Sequence, residues 1–213
     1  VSVPPTYHAA GRTALTKTDD SAKGEWKMLT RTVALSLGLT AMLTAGAATA
    51  QEMMPFGGDE DTGYAAELWA AMEARGLVGE NMIQAFPYEG TDPHGMMLET
   101  FYTRATVDGH TGTLVVKRNY GPAGVEAEQV LAEPGKHLGA ITVMFRREKG
   151  YDPDNQDWFW AKYLPDGSLD RNPKGIALAG RVAKGMDAGC IACHAGAGGD
   201  DYIFTTDAIR PEM

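Results

Sequence analysis

Between Tyr64 and Ala74 the apolar positions recur at helical spacing. Leu68, Trp69, Met72 and neighbouring alanines share one side, with Glu67, Glu73 and Arg75 on the other. An amphipathic helix is predicted there, closed by Gly76, and a second short helix is predicted from Glu80 to Ala85, before Pro87. Ahead of them, Gln51 to Gly63 is rich in Gly, Asp and Met and reads as a flexible lead-in. From Met96 the period changes to two. Met96–Thr103, Thr113–Asn119, Ala140–Arg147 and Asp157–Tyr163 are rich in β-branched and aromatic residues. Asp108-Gly109, Gly121-Pro122, Glu133-Pro134-Gly135, Gly150–Asn155 and Pro165-Asp166-Gly167 separate them as turns. Strands with such short connections pair antiparallel. A last helix is predicted from Lys184 to Ala195. The fold class is therefore α+β, mainly antiparallel sheet with a few helices.

The amino-terminal region has a different pattern. Met28-Leu29-Thr30-Arg31 is basic, Val33 to Leu43 is uncharged and mostly apolar, and Ala48-Thr49-Ala50 is a small-x-small cleavage pattern. Residues 28–50 read as a secretory signal peptide, too short in its apolar run to span a bilayer comfortably. Residues 1–27 lack periodicity and read as a disordered extension from too early a start. A single domain over residues 51–213, exported to the periplasm, is expected. The 213-residue chain carries a net charge of −9, and its leader holds more bases than acids, so the domain is more acidic still. Nucleic acid and anionic membranes are disfavoured as partners. A small neutral or cationic substrate, or a basic electron-transfer partner, suits that charge.

The chemistry concentrates at Cys190-Ile191-Ala192-Cys193-His194, which holds both cysteines of the chain. Two thiols three positions apart lie on one side of a helical turn, where each can add across a haem vinyl group. The following imidazole is then available as axial ligand, so one covalent haem c with His194 on its metal is expected. A zinc site needs further ligands, and His8, His94, His110 and His137 lack ligand spacing. A redox disulfide lacks the strand-then-helix context of a thioredoxin-like dithiol. The motif lies about twenty residues from the end, after a body of strands, which fits neither the small helical electron carriers nor the four-helix cytochromes.

Over about Phe86 to Thr205 the chain resembles the cytochrome P-460 family and its close relative cytochrome c-prime beta. The resemblance rests on Pro93-His94-Gly95, Gly112 to Lys117, Ile141-Thr142-Val143-Met144, Tyr151-Asp152-Pro153 through Trp158-Phe159-Trp160, Cys190 to His194, and Asp201 to Thr205. It implies a mostly antiparallel sheet, a homodimer, and a five-coordinate haem iron that oxidises hydroxylamine, to nitrous oxide or nitric oxide, or handles nitric oxide. It also implies that Lys117, ending a Gly-Thr-x-x-x-Lys strand, bonds to a haem meso carbon. Members lacking that lysine bind nitric oxide without oxidising hydroxylamine. Alternation puts Lys117 on the face of Val115 and Thr113, opposite Leu114, Val116 and Arg118; an ordinary strand lysine would instead snorkel to solvent.

The enzyme reading requires a proton acceptor beside the bound nitrogen, and Asp187 and His94 are the candidates. Their competing readings are a solvated acid and a turn histidine. Some relatives carry a carboxylate just before the haem motif, where Gly185 aligns here. Met96, Met97 and Met144 are core filler or, in a plain electron-transfer cytochrome, a sixth ligand. Trp158 and Trp160 share one face, as core, dimer contact or haem edge, with Phe159 on the other. Arg104, Lys136, Arg146, Arg147 and Lys162 are equivalent candidates for the haem propionates.

Overall fold

The computed structural model describes residues 55–204. The expected leader, 1–50, and residues 51–54 of the lead-in lie outside them. A six-stranded antiparallel meander runs β1 (Tyr88–Glu89), β2 (Met97–Val107), β3 (His110–Tyr120), β4 (Leu138–Arg146), β5 (Trp158–Tyr163) and β6 (Ala179–Gly180), each strand beside its sequence neighbours. Helices α1 (Asp59–Glu73), α2 (Ala127–Ala132), α3 (Pro134–His137) and α4 (Cys190–His194) accompany it. The expected α+β class and antiparallel sheet hold, and all four predicted strands are present. Among the described residues no helix is long and apolar enough to cross a membrane.

The β2–β3 hairpin turns on Asp108 and Gly109, whose φ values of 46° and 74° are those of a two-residue turn that follows strand twist. The register it sets pairs Glu99 with Arg118 and Thr100 with Lys117. On one face of the sheet, Leu114, Val116, Val143, Phe145 and Phe159 pack under Tyr64, Leu68 and Met72 of α1. The Tyr163 hydroxyl donates to the Ala65 carbonyl at 2.8 Å, fastening helix to sheet. The opposite face carries Val115, Met144, Trp158 and Trp160, packed with Phe56, Val182 and Ile191. A smaller cluster joins Met97 and Tyr120 to Val125 and Val130.

Four expected elements are corrected. Helix α1 begins five residues before Tyr64, because Asp59, Glu60 and Asp61 form its acidic first turn rather than a loose lead-in. Phe56, in the same stretch, is buried and bridges to Gly180. No helix forms over Glu80–Ala85. The backbone of this segment is claimed by the sheet: Arg118 donates to the Leu77 and Ile83 carbonyls, and Ala85 N–H donates to Glu99. The last helix spans only Cys190–His194, not Lys184–Ala195. Left-handed backbone at Ala183, Gly185 and Gly189 (φ 63°, 73° and 130°) excludes a continuous helix upstream. The Glu133–Gly135 turn is in fact the start of α3, with Pro134 at its first position.

Candidate functional site

Adjacent strands on the Val115 face align their side chains in rows. Val115 stands beside Met144, and Met144 beside Trp160. One row on, Lys117 stands beside Thr142, and Thr142 beside Lys162. Above these rows the chain closes a cleft of about 270 Å³, with Pro93-His94 from the loop before β2 and the segment Gly189 to Phe204 forming its other walls. Its lining joins residues more than a hundred positions apart, among them Lys117, His94, Cys190, Cys193 and His194. Most of the remaining lining is apolar, with Val115, Met144, Trp160, Leu178, Ile203 and Phe204 contributing.

His194 is buried, and its Nδ1 lies 2.8 Å from the Tyr202 carbonyl. A carbonyl only accepts, so Nδ1 carries the proton and Nε2 keeps its lone pair, the state of a metal-binding imidazole. Burial holds its pKa down, the carbonyl bond opposes this, and Lys117 adds to the depression. Rings surround it: Trp160 at 5.0 Å, Phe204 at 5.3 Å and His94 at 6.0 Å between centroids. Cys190 is half-buried and Cys193 exposed, both as free thiols, and burial pushes the Cys190 thiol upward.

Lys117 is partly buried and its pKa is depressed by burial, with Cys193 pulling weakly the other way. This enlarges the fraction of free amine, the nucleophilic form. His94 is lowered to about 4, first by burial and then by Lys117, His194 and Lys162, so it is a neutral imidazole at physiological pH. Its Nδ1 meets the Thr142 hydroxyl at 3.3 Å. Asp187, by contrast, is exposed and absent from the cleft wall, as is Gly185. Among the described residues no carboxylate lines the cleft.

Of the five cations weighed for propionates, only Lys162 lines the cleft, tethered to Asp170 at 2.8 Å. Arg146 stacks on Trp158 and donates to Gln156, while Arg147 stacks on Tyr64 and Tyr151. Met144 lines the cleft, Met97 is in the Tyr120 cluster, and Met96 is exposed. Trp160 takes a place in the cleft wall, and its Nε1–H is buried without a partner. Sequence reasoning gave Thr142 no role. Its one signal was a polar residue on the Met144 face of an otherwise apolar strand. Among the described residues no group of three or more His, Cys, Asp or Glu converges to hold a metal ion, as a zinc site would require.

The class that this cleft and sheet define is an α+β haem protein. Apolar walls suit a macrocycle, one imidazole offers its lone pair, and the unpartnered Trp160 Nε1–H awaits an acceptor. These residues fit a haem. Residues 95–205, just over half the chain, match the family model described as Cytochrome P460, and the chain belongs to that family of haem cytochromes. Comparison with curated proteins and with solved structures found no match.

Proposed function

We propose that this chain is a periplasmic mono-haem c-type cytochrome that oxidises hydroxylamine or handles nitric oxide at an open five-coordinate iron. The observation that carries the reading is the convergence of Cys190, Cys193, His194 and Lys117 on one apolar cleft. Each thiol adds its S–H across one vinyl group, a redox-neutral step that leaves two thioethers near the end of the chain. His194 presents Nε2 to the metal, its ring held by Tyr202. When bound, the haem supplies the redox-active iron on which the nitrogenous substrate is processed.

Lys117 is the residue that sets the chemistry. Joining its nitrogen to a meso carbon exchanges a C–H for a C–N bond and releases two electrons and two protons to an external oxidant. Burial favours the free amine that this bond needs. His94, neutral and walled into the cleft, is the polar group beside the substrate. Asp187 is the weaker candidate, being exposed outside the cleft. Hydroxylamine is neutral as its free base, which suits a cleft whose described wall carries Lys117 and Lys162 and no acid. Export through the signal peptide, a homodimer and a soluble redox partner complete the reading.

That no carboxylate among the described residues lines the cleft favours a second reading, a nitric-oxide-binding protein of the c-prime beta type that does not turn hydroxylamine over. The ferrous absorption spectrum separates the two. A maximum shifted strongly from that of ordinary c haem is expected for the cross-linked form, and an unshifted five-coordinate spectrum would favour the second reading. A sharp six-coordinate low-spin spectrum would mean that a side chain of the cleft, such as Met144, fills the sixth position, and would overturn both. In a tryptic digest of the holoprotein the Lys117 peptide should travel with the haem peptide; a free, unmodified Lys117 peptide would refute the cross-link. Lys117→Leu should keep haem and lose hydroxylamine oxidation, and unchanged turnover would refute its role.

A further inference from the structure

Three polar side chains form a short line on the cleft face. Asn119 Nδ2 donates to Thr142 Oγ1 at 3.3 Å, and Thr142 Oγ1 lies 3.3 Å from His94 Nδ1. Asn119 is buried on the same side of β3 as Lys117, two residues after it along that face, and its Oδ1 has no partner. With the Asn119 amide directed at its oxygen, the Thr142 hydroxyl has one hydrogen to place. His94 Nδ1 is the acceptor within reach of it. If that nitrogen accepts from the hydroxyl it carries no proton, and the neutral imidazole then bears its hydrogen on Nε2.

We infer that Thr142 is a positioning residue that fixes the tautomer of His94, so that His94 offers an Nε2–H donor, rather than a base, to a ligand held in the cleft. This rests on the reading of the cleft as the haem site and of His94 as the group beside the bound ligand. It changes what His94 does there: it holds a hydrogen bond to the ligand's outer atom and does not take the first proton away. Oriented donors of this kind favour negative charge developing on a bound ligand. Met144, one row away on the same strand, offers nothing comparable, and Lys117 on the neighbouring strand is committed to the ring in that reading.

The test uses the ferrous holoprotein with carbon monoxide as the probe, read as the C–O stretching frequency, which a hydrogen-bond donor near the oxygen lowers. His94→Leu should raise the frequency. Thr142→Val, which keeps shape and strand preference but lacks the hydroxyl, should move it toward that of His94→Leu, and Thr142→Ser should restore the wild-type value. Wild-type protein in heavy water should show a small shift that His94→Leu abolishes, a measurement independent of how well Thr142→Val folds. If His94→Leu leaves the frequency unchanged, His94 does not face the ligand, and that placement fails together with the inference built on it. If His94→Leu shifts it while Thr142→Val matches wild type, or lowers it further, the relay is refuted and the placement stands. A ferrous protein that takes up no carbon monoxide would overturn the open-iron reading itself.

Discussion

Arg118 shows what a single strand position can decide. It follows Lys117, so alternation sends its side chain to the opposite face of the sheet, away from the cleft. There the guanidinium is fully buried and donates to Glu99 at 2.9 Å, to the Leu77 carbonyl at 2.6 and 3.0 Å, and to the Ile83 carbonyl at 2.6 Å. Phe101 lies 4.6 Å beneath it, and the Tyr120 hydroxyl shares the Glu99 carboxylate. A buried pair gains little over apolar packing, but removing one member leaves the other charge stranded. Arg118→Met should therefore cost about 3–5 kcal/mol of unfolding free energy, read from urea or thermal melts of the holoprotein. A loss below ~1 kcal/mol would show that Glu99 finds another partner or takes up a proton. The alternation that separates Lys117 from Arg118 was legible in the sequence. The burial of Arg118 was not, because its partners come from the loop at 76–85 and from a register position fixed by the hairpin turn.

At the scale of elements, strands were easier to read than helices, for a physical reason. Each long strand buries one face against α1 and lines the opposite cluster with the other, so β-branched and aromatic residues dominate whole runs. Helix α4 is only five residues long, and its upstream boundary is set by backbone geometry at Ala183, Gly185 and Gly189 rather than by side-chain periodicity. Lys184, expected within that helix, turns to Asp152 and Asp154 and ties the cysteine segment to the loop before β5. Sheet closeness makes a second prediction. A Cβ added at Gly112 would stand 1.9 Å from the Arg146 carbonyl oxygen, whereas at Gly139 the nearest atom would be 3.5 Å away. Gly112→Ala has to prise β3 from β4 and should destabilise by about 1–3 kcal/mol or more. Gly139→Ala, in ordinary contact and without a left-handed backbone, should be neutral or gain up to about 1 kcal/mol. Paired urea titrations check this; equal midpoints would mean that the β3–β4 end opens without cost.

At the scale of the whole molecule, a cleft lined by lysines sits in an acidic chain. Net charge is −9, yet among the described residues the ionisable amines of the cleft wall are Lys117 and Lys162, the latter held by Asp170, and no acid joins them. No local pattern announced this arrangement. The cleft gathers His94, two strand rows and the segment 189–204, and only the assembled sheet brings them within reach of one another. Long-range charge then acts on partners according to their own charge. A basic redox protein is steered toward the acidic envelope, and its encounter weakens as salt shortens the Debye length from ~30 Å at 0.01 M to ~8 Å at 0.15 M. Nitric oxide, being neutral, feels neither field. Stopped-flow measurements on one preparation should therefore show electron exchange with a basic cytochrome slowing as ionic strength rises over that range, while nitric oxide capture keeps its rate. Exchange that is indifferent to salt would remove the basic partner from the proposal. A parallel loss in nitric oxide capture would place the effect of salt on the cleft itself rather than on the encounter between proteins.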